Sequence, residues 1–171
     1  TFRTRAILKA QQAMGLSVRG ITGLRHAAAG PAVEEVDGLV FHRTPGAPRA
    51  LPILREIDEV RRLAAAIEQV AAGWRPDVLH AHWILPNGFI AGLAAKVSGI
   101  PLLIQLHGSD VFTAEKNPLF RRMARFAASQ AACIVSPSPD LTARLGALGI
   151  DTGKVVQIAF TPGSLVKAGD L

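Results

Sequence analysis

Residues 76–110 alternate between buried-strand and amphipathic-helix patterns, and this segment constrains the fold more than any other. An apolar run at 77–81 is followed by a polar turn, after which Asn87 is predicted to cap a helix. The residues that recur there at helical spacing are Ile90, Leu93, Ala94 and Val97. Gly99 suits the left-handed end of that helix, and the apolar run at 102–106 predicts a second strand. A strand-helix-strand unit of this length predicts a parallel strand pair with a right-handed crossover.

Histidines lie at the end of both predicted strands. The first strand ends in His80, His82 and Trp83, and the second is followed by His107-Gly108-Ser109-Asp110. Because the carboxyl ends of parallel strands lie at one edge of a sheet, we expect both histidine groups at the same edge. Open α/β sheets bind their ligands at that edge.

The rest of the chain continues this alternation. We predict helices over residues 4–14, 53–72, 118–129 and 138–148, strands over 16–22, 36–44, 131–136 and 154–160, and loops at 23–35 and after residue 110. This order predicts an α/β fold with a three-layer, doubly wound, mostly parallel sheet. Because the chain begins on a helix, we expect that the first strand of the sheet is missing. Residues 1–160 would then be a domain that is incomplete at its start, and residues 161–171 a tail.

Composition limits the classes of function. The 171 residues suit one domain with a hydrophobic core, no apolar run approaches the roughly 20 residues that span a bilayer, and the start lacks the apolar region of a signal peptide. The net charge of +6 indicates anionic partners such as nucleotides, phospholipid headgroups or nucleic acid. The one cysteine, Cys133, is expected to pack as a small apolar residue, and a reducing cytoplasm is the expected location.

The segment from His107 to Asp110 is the sharpest candidate site. An imidazole at a strand end can donate to, or accept from, a sugar hydroxyl or a phosphate, and Gly108 would let a ligand approach the backbone. Asp110 could accept hydrogen bonds from sugar hydroxyls. The structural alternative is a histidine satisfied within a turn, with Asp110 capping the next segment. The parallel position of His82 favours the functional interpretation.

His80 and His82 share one face of a strand, which is a spacing that a metal could use. No carboxylate or cysteine follows at a zinc-like spacing, so we predict no metal and no cofactor. One of the two histidines is instead expected inside the sheet edge and the other in the cleft. Trp83 could stack on a sugar ring or pack at the rim. The sequence contains no GxGxxG, P-loop or GxSxG motif, which disfavours dinucleotide, P-loop and α/β-hydrolase sites.

Two predicted helices carry clusters of basic residues. In the helix at 118–129 one side holds apolar residues and the other side holds basic ones. The two sets are Leu119, Phe120, Met123 and Phe126, and Arg121, Arg122 and Arg125. This pattern is typical of a core-facing helix with a solvated basic face, and the alternative is contact with anionic lipid headgroups. Arg3 and Arg5 lie near the start of the first helix, which should face the same cleft, so both are candidate substrate-binding residues.

The sequence resembles a known family. The runs PDVLHAHW, GLAAKVSGIPLLIQLHGSDV and NPLFRRMARFAASQAACIVSPSPDLTARL are similar to the amino-terminal domain of GT-B glycosyltransferases of the retaining, group 1, glycogen-synthase-like kind. The opening FRTRAIL resembles the first helix of bacterial members associated with exopolysaccharide and exosortase gene sets. The resemblance covers residues 3–158, and its most specific parts are the HAHW and HGSD segments.

The resemblance implies two Rossmann-like domains around a cleft, and transfer of a sugar from a nucleotide-sugar donor with retained anomeric configuration. This chain would be the acceptor-side domain, inactive without a donor-binding domain. His107 is then the expected catalytic residue beside the transferred sugar, residues 108–110 shape the pocket, and His82 and Trp83 border the acceptor. The implied partners are a nucleotide sugar, held mainly by the absent domain, and a saccharide or lipid-linked acceptor. The implied location is the cytoplasm, with peripheral contact at the inner face of the cell membrane.

Two other classes of function stay open. Residues 6–30 match helix-turn-helix spacing with Gly15 in the turn, but the glycines of the second element make a poor helix, so we predict no nucleic-acid partner. The other class is a non-catalytic α/β ligand-binding module. A sheet that lacks a central strand would expose unpaired edges, and a dimer that pairs those edges is a further expectation.

Overall fold

A computed structural model describes residues 2–23, 32–44 and 52–159. The chain forms two compact units, residues 1–75 and 76–171. The first contains helix α1 (Phe2–Ala13), strands β1 (Arg19–Gly23), β2 (Val33–Val36) and β3 (Leu39–Thr44), and helix α2 (Pro52–Trp74). Residues 45–51 and the predicted tail at 161–171 lie outside the described residues.

The first unit contains a three-stranded sheet in the order β1-β3-β2. Strand β3 pairs parallel with β1 and antiparallel with β2. The strand predicted at 36–44 is β3 from residue 39 onwards, but its start is wrong, because Asp37 and Gly38 have φ angles of 52° and 72° and form a tight turn between β2 and β3. Strand β2 lies mostly within the loop predicted at 23–35, which is wrong there. An Asp-Gly pair is the sequence signal of such a two-residue hairpin. Residues 19–23 form a strand, so this segment contains no recognition helix of a helix-turn-helix.

The second unit contains a parallel four-stranded sheet flanked by helices. Its elements are β4 (Leu79–His82), α3 (Phe89–Ser98), β5 (Leu102–Gln105), α4 (Ser109–Lys116), α5 (Pro118–Gln130), β6 (Ala131–Ser136), α6 (Pro139–Ala147) and β7 (Val155–Gln157). The strand order is β4-β5-β6-β7, and every pair is parallel. The predicted α/β architecture is confirmed, although the strands of the described residues lie in two sheets.

The core of the second unit lies between this sheet and its helices. Ile104, Leu106 and Ile134 on the strand side and Leu145 on α6 are fully buried. Helices α3 and α5 pack against each other at Gly92, where a Cβ would lie at an ordinary contact distance of 3.5 Å from the Cα of Ala127. Burial of this alanine-rich face by many close contacts stabilises the unit.

The helix α3 differs from its predicted burial pattern. Ile90 and Ala94 are buried as predicted, whereas Leu93 and Val97 are 37% and 80% exposed. The helix instead packs through its small residues, which permit closer approach to α5 than leucine and valine would. In the residues described, no helix combines the length and apolar content that crossing a membrane requires.

The predicted helix caps at Ser138 and Gly99 are confirmed, and the one predicted at Asn87 is wrong. The Ser138 hydroxyl accepts from the backbone N–H of Leu141 and caps α6, and Gly99 ends α3 with a φ of 72°, as predicted. Asn87 does not cap α3, because it lies within an irregular turn at Ile84–Gly88 and Gly88 occupies the cap position. The loop predicted after residue 110 is helix α4.

Candidate functional site

The ends of β4 and β5 bring two predicted site residues together. His82 is the last residue of β4 and pairs with Gln105, the last residue of β5. His107 follows two positions later, and its Nε2 lies 3.1 Å from Nδ1 of His82. Two residues earlier in each segment, Nε2 of His80 lies 3.1 Å from Oε1 of Gln105. Both pairs join residues 25 apart in the sequence, so one strand register produces both contacts.

Trp83 covers one face of His107. The two rings stack with centroids 4.3 Å apart and planes 23° from parallel. Trp83 has a φ of 69°, a left-handed conformation that is unfavourable for a bulky residue. Backbone bonds hold it there, since its N–H donates to the carbonyl of Gln105 and its carbonyl accepts from the N–H of Gly88, both at 2.9 Å. The tryptophan is therefore fixed against the imidazole.

Asp110 joins the two loops that follow the strands. It is 3% exposed, and its Oδ2 accepts from the backbone N–H of Ile84 at 2.7 Å. Its Oδ1 accepts from the backbone N–H of His107 at 3.2 Å. A carboxylate in the first turn of α4 also interacts favourably with the helix dipole. The carboxylate thus fixes the positions of the His107 backbone and of the turn after Trp83.

Gly108 and Asn87 complete the local backbone. Gly108 precedes α4 with a φ of 99°, a conformation that favours glycine. A Cβ added there would lie 3.8 Å from the Cδ1 of Leu141, an ordinary van der Waals contact, so the φ of this buried residue and not a lack of space favours glycine. The side-chain amide of Asn87 donates to the carbonyl of His82 at 2.9 Å and holds the end of β4.

The imidazoles of β4 are held neutral. Burial, together with the smaller effects of the charges of His80 and His107, lowers the pKa of His82 to about 3. Burial also lowers the pKa of His80, against the hydrogen bond to Gln105, and the charge of His107 adds to the lowering. The amide oxygen of Gln105 accepts, so His80 carries its proton on Nε2. The rings of His80 and His82 stack with centroids 4.6 Å apart.

The other predicted residues are placed as follows. Ser109 is exposed as the first residue of α4, and its carbonyl accepts from the hydroxyl of Thr113 at 2.8 Å. The guanidinium of Arg5 pairs with the carboxylate of Asp37 within the first unit. The side chain of Arg3 lies outside the described residues. In the described part of the chain, no three His, Cys, Asp or Glu side chains are arranged to hold a metal ion.

Gln105 also belongs to the site, although it was not among the predicted site residues. It is 4% exposed, and it bonds to His80 through its side chain and to Trp83 through its backbone carbonyl. The signal was a polar residue within the apolar run LLIQL, because a buried amide requires hydrogen-bond partners.

Comparison with known proteins places the chain in a family. The sequence matches the family described as "Glycosyl transferase 4-like domain" over residues 1–161. The N-acetyl-alpha-D-glucosaminyl L-malate synthase of Bacillus anthracis is 30% identical over 81 residues, which are 46% of this chain and 21% of that protein. The aligned part of the chain thus spans about a fifth of the length of that relative.

Solved structures share the fold. The chain resembles sucrose-phosphate synthase from Thermosynechococcus elongatus with a TM-score of 0.76 at 17% identity, over 92% of this chain and 41% of that one. It resembles Anabaena Alr3699/HepE, solved in complex with UDP, with a TM-score of 0.53 at 18% identity, over 70% of this chain and 30% of that one. The family match and this fold together show that the chain belongs to the glycosyl transferase 4-like domain family, the amino-terminal domain of group 1 glycosyltransferases of the GT-B fold.

Proposed function

We propose that this chain is the acceptor-side domain of an enzyme that transfers a sugar from a nucleotide sugar to a saccharide or lipid-linked acceptor, with retention of the anomeric configuration. The observation that carries the proposal is the cluster of His82, Trp83, His107 and Gly108 at the carboxyl ends of two parallel strands. This is the part of an open α/β sheet that binds ligands.

In the proposed site, His107 touches the transferred sugar and is the catalytic residue. Its backbone N–H is fixed by Asp110 and its ring by Trp83, so little ordering is needed when substrate binds. We expect a sugar hydroxyl or phosphate oxygen to approach the backbone at Gly108, which carries no side chain. Ser109 lines the same pocket, and Asp110 shapes it through the two loops that it joins. Arg3 and Arg5 stay predicted substrate contacts.

The donor is proposed to be a nucleoside diphosphate sugar, with no metal or cofactor. Uridine diphosphate sugars are the first to test, because the structurally similar HepE is solved in complex with UDP. A leaving diphosphate requires compensating positive charge. His80 and His82 do not supply that charge at neutral pH, because burial lowers the pKa of both. We therefore expect the charge to come from a donor-binding domain, and the 171-residue chain alone to be inactive.

The test uses the complete protein that contains this chain. It is incubated with a panel of uridine, adenosine and guanosine diphosphate sugars and with saccharide and lipid-linked acceptors, and free nucleotide and product are measured. We expect release of nucleotide in proportion to glycosylated product, and NMR of the product should show the anomer of the donor. Transfer with the opposite anomer would reject retention. Ligand binding without turnover of any donor would favour a non-catalytic module.

We also propose a cytoplasmic location with peripheral contact to an anionic membrane surface. The stretch from Lys116 to Arg122 is exposed throughout, with Leu119 61% and Phe120 38% exposed. Phe112 on α4 is 41% exposed as well. Exposed apolar side chains beside three basic residues are the composition that anionic headgroups attract. A dimer formed through the end strands of a sheet stays a further prediction.

A further inference from the structure

We propose that His82 is a positioning residue that acts through His107 and does not itself contact substrate. The inference rests on the proposed function, because it concerns how the catalytic imidazole is oriented. It assigns His82 a different task from the acceptor border that the sequence indicates.

Burial and contacts of the His82 ring carry this inference. The residue is 8% exposed, and its Nε2 is buried without a hydrogen-bond partner among the described residues. Its Nδ1 lies 3.1 Å from Nε2 of His107. The stacked ring of His80 and the bond from Asn87 to its carbonyl hold it in place. A ring whose Nε2 is buried and whose Nδ1 contacts His107 is poorly suited to bind an acceptor. Its one described polar contact is the catalytic histidine.

The buried Nε2 also indicates which nitrogen carries the proton. A neutral imidazole has one N–H and one lone pair, and burial keeps this ring neutral. A proton on Nε2 would leave a buried N–H without an acceptor, which is rarer in proteins than an unused lone pair. The proton therefore lies on Nδ1, which donates to the lone pair of Nε2 on His107. Together with the stacked Trp83, this bond fixes both the rotation and the tautomer of the catalytic ring.

Three substitutions separate positioning from simple packing. Asparagine places its polar group near the Nδ1 position, glutamine places it near Nε2, and leucine places it at neither. In the complete protein, His82→Asn should keep turnover within about threefold of the wild type, whereas His82→Gln and His82→Leu should lower kcat by about tenfold or more with little change in KM. Equal loss from the asparagine and glutamine variants would overturn the proposal, as would a defect confined to KM.

A double-mutant cycle tests the route through His107. If His82 acts only by orienting that ring, His82→Leu should cause no further loss of turnover in a His107→Ala background. An unchanged tenfold loss in that background would overturn the proposal. Unfolding midpoints of the asparagine and glutamine variants should match each other, which separates the kinetic effect from stability.

A spectroscopic measurement tests the same idea without activity. In the complete protein labelled with ¹⁵N-histidine, the nitrogen shifts of His82 at neutral pH should be those of a neutral ring protonated on Nδ1. In His107→Ala the Nδ1 proton loses its acceptor, so the shifts of the His82 ring nitrogens should change. A wild-type ring protonated on Nε2 would reject the proposed donor. Because this result does not depend on sugar transfer, failure of the positioning proposal is distinguishable from failure of the proposed function.

Discussion

Removal of the Asp110 carboxylate should destabilise the second unit much more than removal of a comparable surface carboxylate. Asp110 is the second residue of α4, is 3% exposed, and accepts from two backbone N–H groups. Asp140 is the second residue of α6, and its side chain is 67% exposed and pairs with Arg144. The two aspartates therefore share a helix position and differ in burial.

The magnitude follows from the two buried hydrogen bonds. A bond to a charged group contributes about 1.5–3 kcal/mol, and an N–H left buried without an acceptor adds its own desolvation penalty. Because the bond from His107 is the longer one, we expect Asp110→Ala to lower the free energy of unfolding by about 3–5 kcal/mol. Asp110→Asn keeps one acceptor oxygen but presents an N–H group to the other backbone donor, so we expect it to lower the free energy of unfolding by about 1–3 kcal/mol. Asp140→Ala should cost about 1 kcal/mol or less, as for exposed ion pairs.

The assay is urea unfolding followed by tryptophan fluorescence. A Trp74→Phe background leaves Trp83 as the reporter of the second unit, since these are the two tryptophans of the chain. Amide exchange gives a local readout, because the N–H groups of Ile84 and His107 should lose protection in Asp110→Ala. If the free energies of unfolding of Asp110→Ala and Asp140→Ala differ by less than about 0.5 kcal/mol, the stabilising role of the Asp110 carboxylate is refuted.

Three further predictions concern pH, Gly108 and the membrane. Because the pKa of His82 falls to about 3 on folding, the unfolded chain takes up the proton first as the pH drops below 6.5, so stability present above pH 6.5 is lost towards pH 3. The free energy of unfolding measured in urea should therefore fall by about 2 kcal/mol between pH 7.5 and pH 5 because of His82. If His82→Asn loses as much stability over this pH range as the wild type does, the prediction is contradicted. Gly108→Ala should lower the free energy of unfolding by about 1–2 kcal/mol, because the φ of Gly108 is 99° and not because a methyl group would clash. Gly73→Ala should be neutral or stabilising, because Gly73 lies in a helix and a Cβ there would meet no atom within 4 Å. Equal effects of the two substitutions in thermal melts would reject this prediction. Sedimentation with anionic vesicles should fall on replacement of Arg121 and Arg122 by Glu or of Leu119 by Ser, and equal binding to neutral vesicles would contradict the charge argument.

Much of the second unit could be predicted from local signals. The strand at residues 131–136 was predicted with the observed ends, because an apolar run lies between a helix and the Ser138 cap. Helix α4 was missed because its sequence, SDVFTAEK, buries only Asp110, Val111 and Ala114, which is too short a pattern to show helical periodicity. The hairpin turn at Asp37 and Gly38 was missed although the dipeptide itself is the signal.

The site was predictable in position but not in its contacts. Parallel strands in a crossover unit place His82 and His107 at one edge, and the structure brings them there. Which atoms meet depends on the register that pairs His82 with Gln105, and a one-residue slip would turn the side chains to the other face. The carboxylate of Asp110 also accepts from the backbone N–H of Ile84, 26 residues earlier, and no local pattern encodes that contact.

The turnover of His107→Ala in the complete protein tests the central claim most directly. Gln157→Ala is the control, because Gln157 is an exposed residue on β7. We expect His107→Ala to lower kcat for sugar transfer by about 100-fold, with an unfolding midpoint close to that of the control variant. Wild-type turnover in a folded His107→Ala protein would contradict the assignment of the strand-end cluster as the site of sugar transfer.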